Sequence, residues 1–341
     1  MTVLETNADP ILHEAIRALA ETRNAVILAH NYERPEVQDV AHYVGDSLGL
    51  SREAARTDAD VIVFCGVHFM AETAKILSPT KTVLLPDLAA GCSLASMIDA
   101  AQLRTWKAEH PGAVVVAYVN TTAEVKAESD YCCTSGNAVE VVNAIDPDRE
   151  ILFLPDMFLG AHVRRVTGRA NIHVWMGECH VHAGIDPEHI NRQRAAHPGA
   201  EFLIHPECGC ATPVVEAMSA GAIDGRDVHI LSTEGMIRRP QQSPADEFIV
   251  ATELGILHRL RRENPGKQFF AANDRAQCAY MKVTTLPKVL RSLETLTHEI
   301  TVPEDVAAKA RLSIERMVAI GGQGGGPALS PFRTSDEDPG E

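Results

Sequence analysis

The chain has 341 residues, 45% of them hydrophobic, and a formal net charge of −15 from 31 Lys and Arg against 46 Asp and Glu. That length can bury a large core and suggests two or three domains, while the acidic balance argues against nucleic acid or an anionic membrane as the main partner. Met1–Pro10 is polar and acidic, and no stretch reaches the ~18 apolar residues of a membrane span, so the expectation is a cytoplasmic protein without a secretory signal.

Along the chain, short apolar runs alternate with helical patterns, which reads as βαβ units and parallel sheets. The runs form three sets of four. The first is Ala25–His30, His42–Gly45, Val61–Cys65 and Thr82–Leu85. The second is Ala113–Tyr118, Tyr131–Thr134, Ile151–Leu154 and Ile172–Met176. The third is Glu201–His205, His229–Leu231, Phe248–Thr252 and Gln268–Ala271. A lead-in helix precedes each set, over Leu12–Thr22, Ala100–Glu109 and Pro187–Ala196. This divides the chain into units at 9–97, 98–185 and 186–320, the last with C-terminal helices. The Gly-rich, then acidic tail from Gly321 to Glu341 reads as disordered.

The sets share a register. His110-Pro-Gly-Ala113 and His197-Pro-Gly-Ala200 lie 87 residues apart, as do Cys92 and Cys179. Ser47 follows His30 by 17 residues and Ser135 follows Tyr118 by 17. Thr233 follows His205 by 28, the same spacing plus an 11-residue insertion. From hydroxyl to cysteine the gaps are 45 to Cys92, 44 to Cys179 and 45 to Cys278. Three α/β units related by pseudo-threefold symmetry would bring their strand carboxyl ends, where ligands bind in parallel sheets, to one axis. Three unrelated segments of similar length remain the alternative, because βαβ units have a typical size.

There are eight cysteines, and in a reducing compartment structural disulfides are not expected. One cysteine after each fourth strand, with no CxxC pair, is not a zinc-ribbon pattern. Structural zinc and cubane electron carriers both want four protein ligands. Three thiolates on a four-iron cluster would leave one iron open as a Lewis acid, which suits dehydration chemistry. A three-cysteine zinc site with a water ligand fits the spacing too. So does a redox sensor.

The local sequences go further. Leu28-Ala-His-Asn-Tyr32, Gly45-Asp-Ser47, Phe64-Cys-Gly-Val-His-Phe-Met-Ala-Glu-Thr-Ala74 and Ala90-Gly-Cys92 occur in order in the first unit. Tyr118-Val-Asn-Thr-Thr-Ala-Glu-Val-Lys126, Cys133-Thr-Ser135 and Gly177-Glu-Cys-His-Val-His182 follow in the second. The third carries His205-Pro-Glu-Cys208 and Cys278-Ala-Tyr-Met-Lys282. From about residue 20 to residue 300 the chain resembles the quinolinate synthase family. The resemblance implies three similar α/β domains around one [4Fe–4S] cluster, held at the positions of Cys92, Cys179 and Cys278. It implies condensation of iminosuccinate (iminoaspartate) with dihydroxyacetone phosphate to quinolinate, phosphate and water, in de novo NAD biosynthesis. Pathway logic adds an aspartate-oxidising partner enzyme that supplies iminosuccinate.

The same resemblance puts His30, Tyr118, Asn120, Ser47, Ser135 and Thr233 at the substrates and gives Tyr32 a part in proton transfer. His205 and Glu207 are the acid/base candidates, since an imidazole–carboxylate pair suits proton removal beside a ketone and proton delivery to departing hydroxyls. His182, three residues past Cys179, can face the open iron or orient that cysteine. The bland readings are packing for the strand-end His and Tyr residues, a solvated loop for Glu207, and helix N-caps for the three hydroxyl residues, compatible with anion binding at helix starts. Cys65, Cys132, Cys133, Cys208 and Cys210 match no ligand, although Cys208 neighbours the site and is oxidisable. Some relatives carry cysteines just before the third ligand; Ala272 and Arg275 stand there in this chain, and no such switch is expected.

Overall fold

Twelve parallel strands build three four-stranded sheets in the computed structural model, which describes residues 9–219 and 227–321. The first sheet contains β1 (Ala25–His30), β2 (Tyr43–Gly45), β3 (Val61–Cys65) and β4 (Thr82–Leu84). The second contains β5 (Val114–Tyr118), β6 (Tyr131–Cys133), β7 (Ile151–Leu154) and β8 (Ile172–Val174). The third contains β9 (Glu201–Ile204), β10 (Val228–Ile230), β11 (Glu247–Ala251) and β12 (Gln268–Ala271). The strand orders are β2-β1-β3-β4, β6-β5-β7-β8 and β10-β9-β11-β12, one topology three times. Each predicted run is a strand, shifted by no more than two residues at either end. The inner strands read as unbroken apolar runs because both of their faces are covered: β3, β5, β7 and β9 are buried along their whole length.

The lead-in helices run over Pro10–Thr22, Ala100–Glu109 and Pro187–Ala196. Asp9, Asp99 and Asp186 cap their first turns, and the last two form capping boxes with Gln102 and His189. The two C-terminal helices return to the earlier sheets. Leu286, Val289 and Leu293 of Leu286–Thr295 share a buried cluster with Ile16 and Ala20 of the first lead-in helix. Ala310, Ile314 and Met317 of Glu304–Ala319 are fully buried, and Asn137 donates its amide to the Met317 and Ile320 carbonyls. The chain thus ties the first two units together after the third is complete.

The expected tail lies outside the described residues apart from Gly321, and so does part of the insertion between His205 and Thr233, at residues 220–226. Among the described residues no helix is long and apolar enough to cross a membrane.

Candidate functional site

Strand register decides which side chains meet. In the first sheet His30 pairs with Gly45, and in the second Tyr118 pairs with Cys133. Ser47 and Ser135 each follow two residues later. In the third sheet Ile204 pairs with Ile230, which puts His205 and Thr233 in the same relation. The carboxyl ends of all three sheets open on one cavity with about 690 Å³ of space, part of it open to solvent. His30, Tyr32, Ser47 and Cys92 line it from the first unit, Tyr118, Asn120, Ser135, Cys179 and His182 from the second, and His205, Glu207, Thr233 and Cys278 from the third. Every residue singled out from the sequence therefore borders one pocket.

The three cysteines occupy one local setting. Cys92 precedes the single turn Leu94–Ser96, Cys179 stands just before the turn His180–Ala183, and Cys278 precedes the turn Met281–Val283. Backbone N–H groups of Leu94 and Ala95 near Cys92, and of Tyr280 and Met281 near Cys278, favour the thiolate form of each. Burial, and then the neighbouring Cys179, pushes the Cys92 thiol well up; burial pushes Cys278 up to about 11. Half-buried, poorly solvated thiols that repel one another's charge fit a cation that takes up the charge. A soft, thiolate-binding iron or zinc centre matches this donor set.

Around them lies a buried polar network. Glu207 meets His182 Nδ1 at 3.0 Å, off the line of an aligned hydrogen bond, and accepts one from the Tyr118 hydroxyl. His182 Nε2 lies 2.8 Å from the Thr252 hydroxyl, which is 2.5 Å from the Tyr32 hydroxyl. The rings of His182 and His205 stack, 4.9 Å between centroids. Burial alone would raise the Glu207 carboxyl, but His182 and His205 beside it bring it down to about 2. Burial alone would lower His182, yet Cys179 and Glu207 hold it well above the ordinary imidazole range. The His182 ring lies against both Cys179 and Glu207, so it links that cysteine to the pocket's carboxylate.

His30 and His205 are both lowered to about 3, chiefly by burial. Each accepts a backbone N–H at Nδ1, from Tyr32 at 3.2 Å and from Glu207 at 3.4 Å. With Nδ1 accepting, the proton of each neutral ring is assigned to Nε2, and His205 presents it to Ser135 Oγ at 3.1 Å. Burial, and Glu207 after it, raises Tyr32 and Tyr118, so both phenols keep their protons. The Asn120 side-chain oxygen is buried without a partner among the described residues.

Two expectations are corrected. None of the three hydroxyl residues caps a helix. Asp46 caps Ser47–Arg56, Ser232 caps Thr233–Gln242, and Asn137 holds the cap position of Ala138–Asn143. Each of the two acting caps stands one residue earlier, where the backbone leaves the strand; the hydroxyls of Ser47 and Ser135 are left to the pocket, while Thr233 accepts from Asn31 at 3.4 Å. The second correction concerns disulfides: Cys208 and Cys210 form one, immediately after Glu207. A two-residue spacing across a tight turn brings both sulfurs to one side.

Sequence reasoning passed over Glu253 and Lys282. Glu253 is fully buried; it accepts from the Cys278 N–H at 3.1 Å and the Gly255 N–H at 2.6 Å, and pairs with Lys282 at 3.0 Å. Lys282 also donates to the Tyr32 carbonyl. Together they tie the Cys278 turn to the Tyr32 loop. The only signal was position: Glu253 follows the second central strand of its unit, and Lys282 ends the last motif.

Residues 14–319 match the family described as Quinolinate synthetase A protein. Quinolinate synthase from Mycobacterium tuberculosis (strain ATCC 25618 / H37Rv) is 60% identical over 311 residues, which is 91% of this chain and 89% of that protein. Quinolinate synthase from Mycobacterium sp. (strain KMS) is 60% identical over 91% of this chain and 92% of its own. That from Mycolicibacterium paratuberculosis (strain ATCC BAA-968 / K-10) is 58% identical over 91% and 89%. The match spans all three sheets, and the chain belongs to the quinolinate synthetase A family.

Proposed function

We propose that the chain condenses iminosuccinate with dihydroxyacetone phosphate to quinolinate, phosphate and water, as a transferase of de novo NAD biosynthesis in the cytoplasm. An aspartate-oxidising enzyme would supply the imine. The observation that carries this reading is convergence: three half-buried thiols and a set of buried hydrogen-bond donors border one cavity in a chain of this family.

Cys92, Cys179 and Cys278 would hold a [4Fe–4S] cluster. When bound, three-thiolate ligation leaves it one iron free to act as a Lewis acid toward a substrate oxygen.

The remaining work falls to the chain's own groups. The substrates bring two carboxylates and one phosphate. Ser47, Ser135 and Thr233 offer hydroxyls at strand-to-helix turns, and His30 and His205 offer Nε2–H donors without adding charge. Asn120 has a buried acceptor for an imine or hydroxyl proton. Glu207, held ionised by its neighbours, is the carboxylate placed to take a proton beside the ketone. Tyr32 and His182 meet at Thr252 and form a short relay, with Tyr32 as the proton donor to a departing hydroxyl. His205, with Nδ1 occupied by a backbone N–H, orients and donates rather than abstracts. Burial of this network excludes bulk water while the imine is handled.

The test is direct. Anaerobically prepared protein, with roughly four irons and four sulfides per chain, should convert the two substrates to quinolinate. An intact cluster with no quinolinate refutes the reading, and so does one zinc with no iron.

A further inference from the structure

The amino-terminal end of the second sheet gathers three side chains of metal-ligand type that the pocket does not use. His110 ends the lead-in helix, Glu150 immediately precedes β7, and His173 lies in β8. Glu150 Oε2 is 3.5 Å from His110 Nδ1, and Glu150 Oε1 is 3.7 Å from His173 Nε2. One donor atom from each residue lies within 4.8 Å of the others, and the imidazole centroids are 4.3 Å apart. Both His–Glu separations are too long for a hydrogen bond. Each approaches a ligand–ligand edge of a zinc tetrahedron, about 3.3 Å for bonds of about 2.0–2.1 Å. The two imidazoles face different oxygens of Glu150, so a small shift of the carboxylate brings one oxygen to both. The imidazoles are half-buried and Glu150 is exposed, which leaves room for water as a fourth ligand.

The third unit is an internal control. His197, also followed by Pro-Gly-Ala, meets Glu247 at 3.6 Å. Leu152 pairs with His173 in the second sheet, and Ile249 pairs with Phe270 in the third, so Phe270 is the counterpart of His173. Phe270 stacks on His197 with centroids 3.6 Å apart. The His–Glu pair therefore recurs without a third donor, and His173 is what the second unit adds. In the first unit the register places Thr22, Val61 and Leu84 at these positions.

We propose that His110, Glu150 and His173 form a binding site for a divalent cation of the zinc class, with water completing the shell. Two imidazoles and a carboxylate are the donor set that such an ion takes. Bound there, the ion joins the end of the lead-in helix, the start of β7 and the edge strand β8, whose chain continues to Cys179.

The test uses tag-free, cluster-loaded protein and Zn(II) alone, under anaerobic equilibrium dialysis. The wild type should retain one more zinc per chain than His173→Phe at equal iron content. Phe270→His should retain one more than the wild type, by completing the same trio with His197 and Glu247. Zinc X-ray absorption should show nitrogen and oxygen neighbours at the added site. Equal zinc in the wild type and His173→Phe, no gain in a folded Phe270→His protein, or sulfur ligation of the differential zinc overturns the site. Glu150→Gln, which keeps the side-chain shape, repeats the loss if His173→Phe fails to fold. Turnover is not read, so failure here leaves the proposed reaction untouched.

Discussion

The phenol of Tyr118, from the second unit, donates a hydrogen bond to Glu207, from the third, and both side chains are buried. With His182 against its other oxygen, Glu207 is held as a carboxylate between two units. Glu207→Gln keeps the shape and removes the charge. It should retain the cluster's visible absorbance and lower turnover by roughly 10²–10⁴-fold. Anaerobic quinolinate assays on the loaded variant decide it; a rate within a few-fold of the wild type would reject the base role.

Replacing any one of Cys92, Cys179 or Cys278 by Ser should abolish the visible absorbance of the cluster. Cys65→Ser should leave it, since Cys65 is fully buried in β3 and borders a different side of the sheet. A full cluster in any of the first three variants contradicts the ligand set.

Glu253→Gln leaves Lys282 without its carboxylate and weakens the hold on the Cys278 turn. Breaking a buried ion pair from one side costs about 3–5 kcal/mol. The expected result is a lower thermal midpoint and faster cluster loss in air. Gly255→Ala should act on the same loop by another route, because a Cβ there would stand 2.7 Å from the Tyr32 carbonyl group. Wild-type midpoints in both variants would show that the Tyr32 loop does not depend on these contacts.

Ser47→Ala and Asp46→Ala separate binding from capping. Asp46 accepts from the Gly49 N–H at 2.8 Å, so its loss should cost about 1 kcal/mol of stability. Ser47→Ala should leave stability within about 0.5 kcal/mol and raise KM by roughly tenfold, the value of one hydrogen bond to a charged group. Thermal melts and steady-state kinetics on the pair give the answer. The reverse pattern would return Ser47 to the capping role.

Acid should destabilise the fold through buried imidazoles. His30 and His205 protonate near pH 3 when folded, mainly because of burial, against about 6.5 when unfolded. Below pH 6.5 the unfolded chain therefore binds more protons, and stability present above 6.5 is lost as pH falls toward 3. Two such groups contribute up to roughly 3 kcal/mol per pH unit inside that window. Glu207, lowered to about 2, adds loss in the same direction below its unfolded value. The double variant His30→Gln, His205→Gln should show a shallower fall in denaturation midpoint between pH 6 and 4. An unchanged slope would mean that these rings are not the acid-sensitive groups.

The strands were legible because inner parallel strands are covered on both faces and must be apolar throughout; β1, β3, β7 and β12 fall where the runs predicted them. The hydroxyl positions were legible through spacing, but their role at the helix starts was not. Asp46 and Ser47 are both competent caps, as are Ser232 and Thr233, and only the dihedral path from strand to helix selects the first of each pair. The Cys208–Cys210 bridge was hidden because compartment arguments say nothing about a local turn.

By itself, the sequence determined three repeated units, the three cysteines at matching stations, and the side chains that each strand end delivers. Those follow from periodicity and spacing, which are local properties of the chain. Only the tertiary structure decided that Glu207 meets Tyr118 and His182 from another unit, that Glu253 and Lys282 brace the third cysteine, and which imidazole nitrogen faces the pocket. These depend on contacts between residues far apart in the chain. Their protonation follows from burial and neighbouring charge, which exist only after the three sheets have packed.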